Sequence, residues 1–326
     1  MSRIFAYVGH KKGVLDDTAA ELLPAAGRID PAASPTAVVT GWGAELDAAC
    51  ESLRGLYPEV WKVAAEALAY PDAELVRKAL VAVLPRGSVV VAAHDHFGVD
   101  LSPGLSIRLD AAYVPDVVDI EGVERSSLKA VRQEFGGQVS VHVHCDISSG
   151  AVINVRPGVF PAAQPAAAGT VVEKAVEGQD LMSRRRYVGT IAAEAGDVDI
   201  TKHQVLVSVG RGIQDQENIA IAEELAEILG GVVSCSRPVV DAKWLDKSRQ
   251  VGSSGQTVKP KVYLACGISG SFQHLAGIKG NVFLVAINKN PNAPIFRAAD
   301  VGIVDDVLEF LPAMASRLRE AKRAAK

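Results

Sequence analysis

The chain has 326 residues, long enough for two domains with a core each, and hydrophobic residues make up 48% of it. Mean hydropathy of +0.17, a net charge of −4 and a pI near 6.0 exclude a disordered or fibrous chain and give no nucleic-acid footprint. The basic tail RLREAKRAAK, Arg317 to Lys326, reads as a solvated helix end.

MSRIFAYVGH enters a strand pattern at once, without a signal peptide, an Arg-rich transit sequence or a long apolar run. The expected location is the cytoplasm, or the mitochondrial matrix for a processed eukaryotic form, with no membrane insertion. Arg3–Val8 and Thr36–Gly41 read as strands, Thr18–Ala26 and Glu45–Leu56 as helices. Pro71–Leu84 is a further helix, followed by the buried-strand run Ser88–Ala93. Strands alternating with helices predict a parallel sheet covered on both faces. From Gln133 the character changes: EFGGQVSVHVHCD and GAVINVRPGVF read as two strands added antiparallel to that sheet.

Between Pro157 and Thr201 no continuous core pattern appears, so this stretch reads as strand ends and an interdomain connection. HQVLVSVG then restarts the α/β pattern. A helix follows over Asp215–Leu229, with Ile221, Leu225, Ile228 and Leu229 on one face. Gly230 and Gly231 end it. Val232–Cys235, Val262–Cys266, Val282–Ile287 and Val301–Val304 are strands and Asp305–Lys322 the terminal helix. The fold class is therefore α/β with two domains. An N-terminal α/β domain, a mostly parallel sheet with added antiparallel strands, covers 1–185. A linker covers 186–202, and a doubly wound, Rossmann-like domain covers 203–326.

Glycine, serine and asparagine gather in the loops at the carboxyl ends of the second domain's strands, the edge where an open α/β sheet binds ligands. The first loop is VSVGRG, Val207–Gly212, which forms either an anion-binding turn with Arg211 or a plain tight turn, since neither G-x-G-x-x-G nor a Walker lysine is present. GISGSFQHLAG offers Gly267, Gly270 and the hydroxyls of Ser269 and Ser271 at a helix start, with His274 one turn in. A capped helix with an incidental histidine fits those residues as well. AINKNPNAP places Asn288 just past a strand at the same edge.

His142 and His144 would share a strand face, and His94 and His96 form a second pair. No third ligand cluster accompanies either, so no metal is expected. Cys50, Cys145, Cys235 and Cys266 match no C-x-x-C spacing, and three of them follow β-type or apolar runs, where a cysteine behaves as a small buried hydrophobe.

Taken in order, SRPVVDAKWL, QVGSSG, KPKVYLACGISGSFQHLAG and VAINKNPNAPIFRAADVGIVDD resemble the FAD-binding domain of electron transfer flavoprotein α subunits, from about His203 to Pro312. The first half, through Phe97–Gly122, is similar to the family's N-terminal domain, implying a role in subunit association. The resemblance implies FAD as cofactor, its ADP half along Arg211, the Gly267–Ser271 turn, Asn288 and Asp306 with Val307. The ring end would meet Ser236, Arg237, Val251, Gly252, Ser253, Ser254, Gln273 and His274, and Gln250 and Phe272 would also contact the cofactor. Within that set the family places the arginine over the isoalloxazine, the Ser254 hydroxyl toward flavin N5, and the histidine near the O2 carbonyl. Ser253 departs from the family, which more often has glutamine there.

The implied role is the α subunit of a heterodimer, an electron carrier without a catalytic residue of its own. Its β subunit would hold AMP or a second FAD. Electrons would come from acyl-CoA dehydrogenase-type flavoenzymes and leave to a quinone oxidoreductase or similar acceptor. Pro238 after Arg237 is similar to Fix-type and electron-bifurcating relatives, which makes a bifurcating, NADH-dependent complex the alternative. A self-sufficient flavin- or NAD-dependent oxidoreductase belongs to a different class. Reduction of the single chain by NADH would identify it.

Overall fold

A computed structural model describes residues 3–165, 168–176, 181–189 and 198–324. The chain forms two compact units, dividing after Gly189. The first runs β1 (Ile4–Tyr7), a small hairpin of β2 (His10–Lys11) and β3 (Val14–Leu15), α1 (Ala19–Ile29), β4 (Thr36–Gly41), α2 (Gly43–Leu53) and β5 (Glu59–Ala64). It continues α3 (Ala73–Val83), β6 (Val89–Ala93), α4 (His96–Leu109), β7 (Ala112–Glu124), β8 (Ser127–Glu134), β9 (Val139–Asp146), β10 (Ala151–Val155) and β11 (Thr170–Lys174).

Nine of these strands form one sheet in the order β11-β5-β4-β1-β6-β10-β7-β8-β9. It is parallel as far as β7, and β8 and β9 are added antiparallel. Because side chains alternate along a strand, β1 feeds both faces. Ile4, Ala6 and Val8 pack with α1 and α2 in one core; Phe5 and Tyr7 pack with α3 and α4 in the other. Both faces are therefore dry, which is why β1, β4 and β6 are apolar runs without alternation.

Two features differ from the sequence expectation. GAVINV is not part of the antiparallel addition: β10 lies between β6 and β7, parallel to both. All five of its residues are buried, as a central parallel strand requires. The stretch expected to be strand ends and a connection contains β11, which pairs parallel with β5 and closes that edge of the sheet. Of the expected linker, residues 190–197 lie outside the described residues, while Ile200 is buried in the second unit's core. Strand β7 runs through Pro115 and Asp116, the latter with φ 55°, by shifting register, pairing first with β10 and then with β8.

The second unit runs β12 (Val205–Val209), α5 (Ile219–Leu229), β13 (Val232–Cys235), the short α6 (Arg237–Asp241), β14 (Val262–Cys266), the short α7 (Phe272–Leu275), β15 (Phe283–Ile287), β16 (Val301–Ile303) and α8 (Val307–Ala324). Its five strands are all parallel, in the order β13-β12-β14-β15-β16. Chain direction across the sheet reverses between β12 and β14, and the crevice outside their carboxyl ends is the topological switch point. Gly230 ends α5 in the left-handed conformation, φ 69°. The buried face of α5 is Ile219, Ala222, Leu225 and Ala226; Ile221, Ile228 and Leu229 pack at its margin.

Candidate functional site

At the switch point the loops after β12, β13, β14 and β15 enclose a cleft of about 710 Å³, a size typical of small-molecule and cofactor sites. Fourteen of the eighteen expected site residues line it: Arg211, Ser236, Arg237, Gln250, Val251, Gly252, Ser253, Ser254, Gly267, Ser269, Ser271, Gln273, His274 and Asn288. Gly212, Pro238, Asp241 and Ile268 line it as well. Their signal is position alone: Gly212, Pro238 and Ile268 adjoin an expected residue, and Asp241 lies one helical turn after Arg237.

The other four expected residues do not line the cleft. Gly270 has φ 82°, and a Cβ there would meet the Ile295 nitrogen at 2.3 Å, so its backbone is buried against a neighbouring loop. Phe272 is 67% exposed. Asp306 starts α8, accepting from Leu308 N–H, and pairs with Lys289 at 2.6 Å, which holds its carboxyl below the usual range. Val307 is buried in the core.

The glycines act differently from a simple ligand cradle. A Cβ on Gly267 would meet Gly212 Cα at 2.7 Å, one on Gly210 would meet the Gly267 oxygen at 2.3 Å, and one on Gly252 would meet the Gln273 oxygen at 2.9 Å. Bare backbone here lets loops cross one another, joined by Gly212 N–H to Gly267 O and Ser253 N–H to Gln273 O. The crossing then presents side chains to the cleft. The expected anion turn is also not a helix start: Arg211–Ile213 is a single 3-10 turn, and α5 begins only at Ile219.

The floor is a buried polar chain. His274 is 5% exposed, its Nε2 is 2.8 Å from the Tyr263 hydroxyl, and that hydroxyl donates to Ser208 Oγ at 2.7 Å. Burial lowers the His274 pKa to about 4, opposed by the Val251 carbonyl, so the ring is neutral near pH 7. Its Nδ1 is buried and makes no hydrogen bond among the described residues. An unsatisfied buried nitrogen on a cleft wall is costly unless a ligand completes it.

The rim is more open. Gln250, itself buried, donates from Nε2 to Ser254 Oγ at 2.9 Å, which orients that hydroxyl. Ser253 makes its bond through the backbone. Arg237 pairs with Asp241 at 3.3 Å, with both side chains more than half exposed, so the pair is weak and the guanidinium is available to a bound group. A neutral buried histidine, an exposed arginine and several hydroxyls around a flat crevice fit an anionic, heteroaromatic cofactor.

The remaining expected features lie elsewhere. His142 and His144 are exposed on β9, with His142 Nδ1 2.9 Å from Glu121. His94 lies 3.9 Å from Asp116. Among the described residues no group of three or more His, Cys, Asp or Glu gathers to hold a metal. The four cysteines are free, three of them buried. No described helix is long and apolar enough to cross a membrane.

Comparison with known proteins bears directly on this cleft. Residues 199–279 match the electron transfer flavoprotein FAD-binding domain, and residues 4–180 match the electron transfer flavoprotein domain. The chain is 39% identical to protein FixB of Clostridium saccharobutylicum, over 68% of this chain and 67% of that protein. It is 38% identical to the electron transfer flavoprotein subunit alpha of Thermoanaerobacterium thermosaccharolyticum, over 72% of each. Against the mitochondrial electron transfer flavoprotein subunit alpha of Arabidopsis thaliana it is 31% identical, over 96% of this chain and 88% of that one. The matched domain is FAD-binding, so FAD is the cofactor. With both halves matched in order and relatives aligned across most of its length, the chain belongs to the electron transfer flavoprotein α-subunit family.

Proposed function

We propose that the chain holds one FAD in the switch-point cleft and relays electrons as one half of a heterodimer. The observation that carries this reading is His274, a buried neutral ring whose Nδ1 is unsatisfied on the wall of a cleft that also presents Arg237, Ser236 and Ser254. Bound FAD supplies a ring system that accepts and returns electrons singly. Arg211, the Gly267–Ser271 turn and Asn288 hold its ADP half. Ser236, Arg237, Val251–Ser254, Gln273 and His274 surround its ring end.

The other half is a β subunit of different sequence carrying AMP or a second FAD. The donors are acyl-CoA dehydrogenase-type flavoenzymes, and the acceptor is a quinone oxidoreductase or similar protein. The first unit, over roughly 1–185, supplies the association surface, supported by the exposed apolar residues Val139 and Val141 on β9 and Phe135, 79% exposed, beside it. Pro238 on the cleft wall favours, as second reading, an electron-bifurcating assembly.

Coexpression with a β subunit and a flavin count per heterodimer test both readings. One FAD, lost in Ser271→Trp with unchanged melting, is the expected result, because Ser271 is exposed and a large ring there fills the cleft. A heterodimer that binds no FAD overturns the proposal. FAD retained in Ser271→Trp moves the site elsewhere. Two flavins select the bifurcating reading.

A further inference from the structure

The loop after β15 is tied to the Gly267–Ser271 turn by a ladder of hydrogen bonds. Gly267 N–H donates to Ile287 O at 2.9 Å, and Ile295 N–H to Ser269 O at 3.0 Å. Between these two backbone bonds lies one made by a side chain. Asn288 Nδ2 donates to Ile268 O at 2.9 Å, while Asn288 Oδ1 accepts from Asn290 N–H, also at 2.9 Å. A carbonyl only accepts and a backbone N–H only donates, so these partners fix which end of the amide faces which. Aspartate has the same shape, but as a carboxylate it has no proton for Ile268.

The link matters because of what lies on either side of Ile268. Its own side chain is buried in the core, whereas Ser269 and Ser271 are exposed and line the cleft. The carbonyl of Gly267 accepts from Gly212 N–H at 3.1 Å. The turn is therefore the middle of three loops in series, with Asn288 on one side and the Arg211–Gly212 turn on the other.

We propose that Asn288 is a positioning residue: its amide clamps the Ile268 carbonyl and so sets the Gly267–Ser271 turn and, one loop further, the Arg211–Gly212 turn. The proposal deepens the FAD reading and rests on it. Asn288 serves the ADP half by shaping the two turns that hold it. The same loop supplies an internal control. Asn290 Oδ1 accepts from Asn292 N–H at 3.0 Å, a bond of similar kind that joins two residues outside the cleft lining.

Hydrogen exchange on the flavin-free full chain reads the clamp without any ligand. Asn288→Asp keeps the bond from Asn290 N–H but sets an oxygen against the Ile268 carbonyl. Gly212 and Ile295 N–H should then exchange about 2- to 12-fold faster, the range for one lost neutral hydrogen bond. Asn290 N–H should keep its wild-type rate. FAD titration uses Asn288→Ala, which adds no charge, in the chain coexpressed with a β subunit. Binding should weaken by about the same 2- to 12-fold, and Asn290→Ala should bind FAD as the wild type does. Unchanged exchange at Gly212 and Ile295 in Asn288→Asp overturns the proposal. So does wild-type FAD affinity in Asn288→Ala, or an equal loss in Asn290→Ala. If Asn288→Asp does not fold, Asn288→Ala is taken through both measurements and the same results decide. A wild-type complex without saturable FAD binding sinks the cofactor reading instead, and the exchange rates still decide whether Asn288 clamps the turns.

Discussion

Both units end their parallel strands in an edge of polar loops, and the two edges are put to different ends. In the first unit many of the polar groups pair with each other, although His94 Nδ1 is buried there without a partner. Arg156 makes two hydrogen bonds to Asp116, at 2.7 and 2.8 Å, and a third to Gln133. His10 is bound to the Thr40 carbonyl and to Gly13 N–H, and Asp95 caps α4 through Gly98 N–H. Burial pushes the Asp116 carboxyl up, yet Arg156 outweighs it and leaves the group below its usual range. In the second unit the loops cross on glycine, turn their hydroxyls and arginine outward, and leave one buried nitrogen unsatisfied. One architecture thus yields an edge dominated by internal ion pairs and caps and an edge that opens a cleft, and the choice lies in the loop residues.

The comparison breaks most visibly at the crossings. Gly270→Val should destabilise the second unit by roughly 2–5 kcal/mol, from a left-handed backbone and an overpacked contact together. Gly87→Ala in the first unit has positive φ but open space around it, so about 1 kcal/mol is expected there. Denaturant unfolding followed unit by unit with hydrogen exchange measures both. Equal effects would remove the claim that the glycines of the second edge serve close approach.

Acid sharpens the same contrast. His274 titrates near 4 when folded and near 6.5 when unfolded, so the unfolded chain takes up a proton first as pH falls. Stability of the second unit is full above about pH 6.5 and declines by roughly 3 kcal/mol toward pH 4 through this group. His274→Gln should flatten that decline, and melting curves between pH 7 and pH 4 check it. A wild-type slope in the variant would mean that the ring is not held neutral by burial.

The two arginines form a matched pair. Arg156→Met strands a half-buried carboxylate and should cost about 1–3 kcal/mol with no change in bound FAD. Arg237→Met should cost under about 0.5 kcal/mol, since the side chain is exposed. It should instead lower the reduction potential of bound FAD on the order of 100 mV, the scale of a charge lost at close range. Arg237→Lys restores part of that, keeping charge but losing the planar guanidinium. Spectroelectrochemistry and melting together read out all three variants. An Arg237→Met protein with unaltered potential assigns that arginine to Asp241 alone.

The smallest effect separates adjacent serines. Ser254→Ala leaves the Gln250 amide without its partner and should cost about 1 kcal/mol, while Ser253→Ala changes stability negligibly because its bond is made by the backbone. Thermal melts of the two variants, side by side, decide it.

How much of this was readable beforehand follows from locality. VLVSV, VYLAC and FLVAI are short apolar runs closed by glycine or asparagine, so the strands of the second unit and the loops at their ends are legible. Strand β7 was hidden by Pro115 and Asp116, and α4 by Gly98, Pro103 and Gly104 inside its span, where a local reading sees breakers. The place of β10 depends on pairing with a strand 62 residues earlier, Ala151 against Val89, which no window reveals. At the site, loop hydroxyls announced themselves, whereas Tyr263 and Ser208 sit inside strand runs and read as core. Their meeting exists only through the register of β12 against β14.

The closing of the first sheet by β11 has a consequence for synthesis. Strand β5 is finished at Ala64, but its outer neighbour arrives only with Thr170–Lys174. The salt bridge from Lys62 to Glu173, 3.0 Å, waits for the same segment. At about 5–20 residues per second, a ribosome leaves that strand's outer hydrogen-bonding groups unmatched for roughly 5–20 s. During that interval Val60, Trp61 and Val63 belong to an open template onto which another nascent chain can add. Lys62 and Glu59, flanking and interrupting the apolar run, are the charges that discourage such pairing until the chain supplies its own last strand.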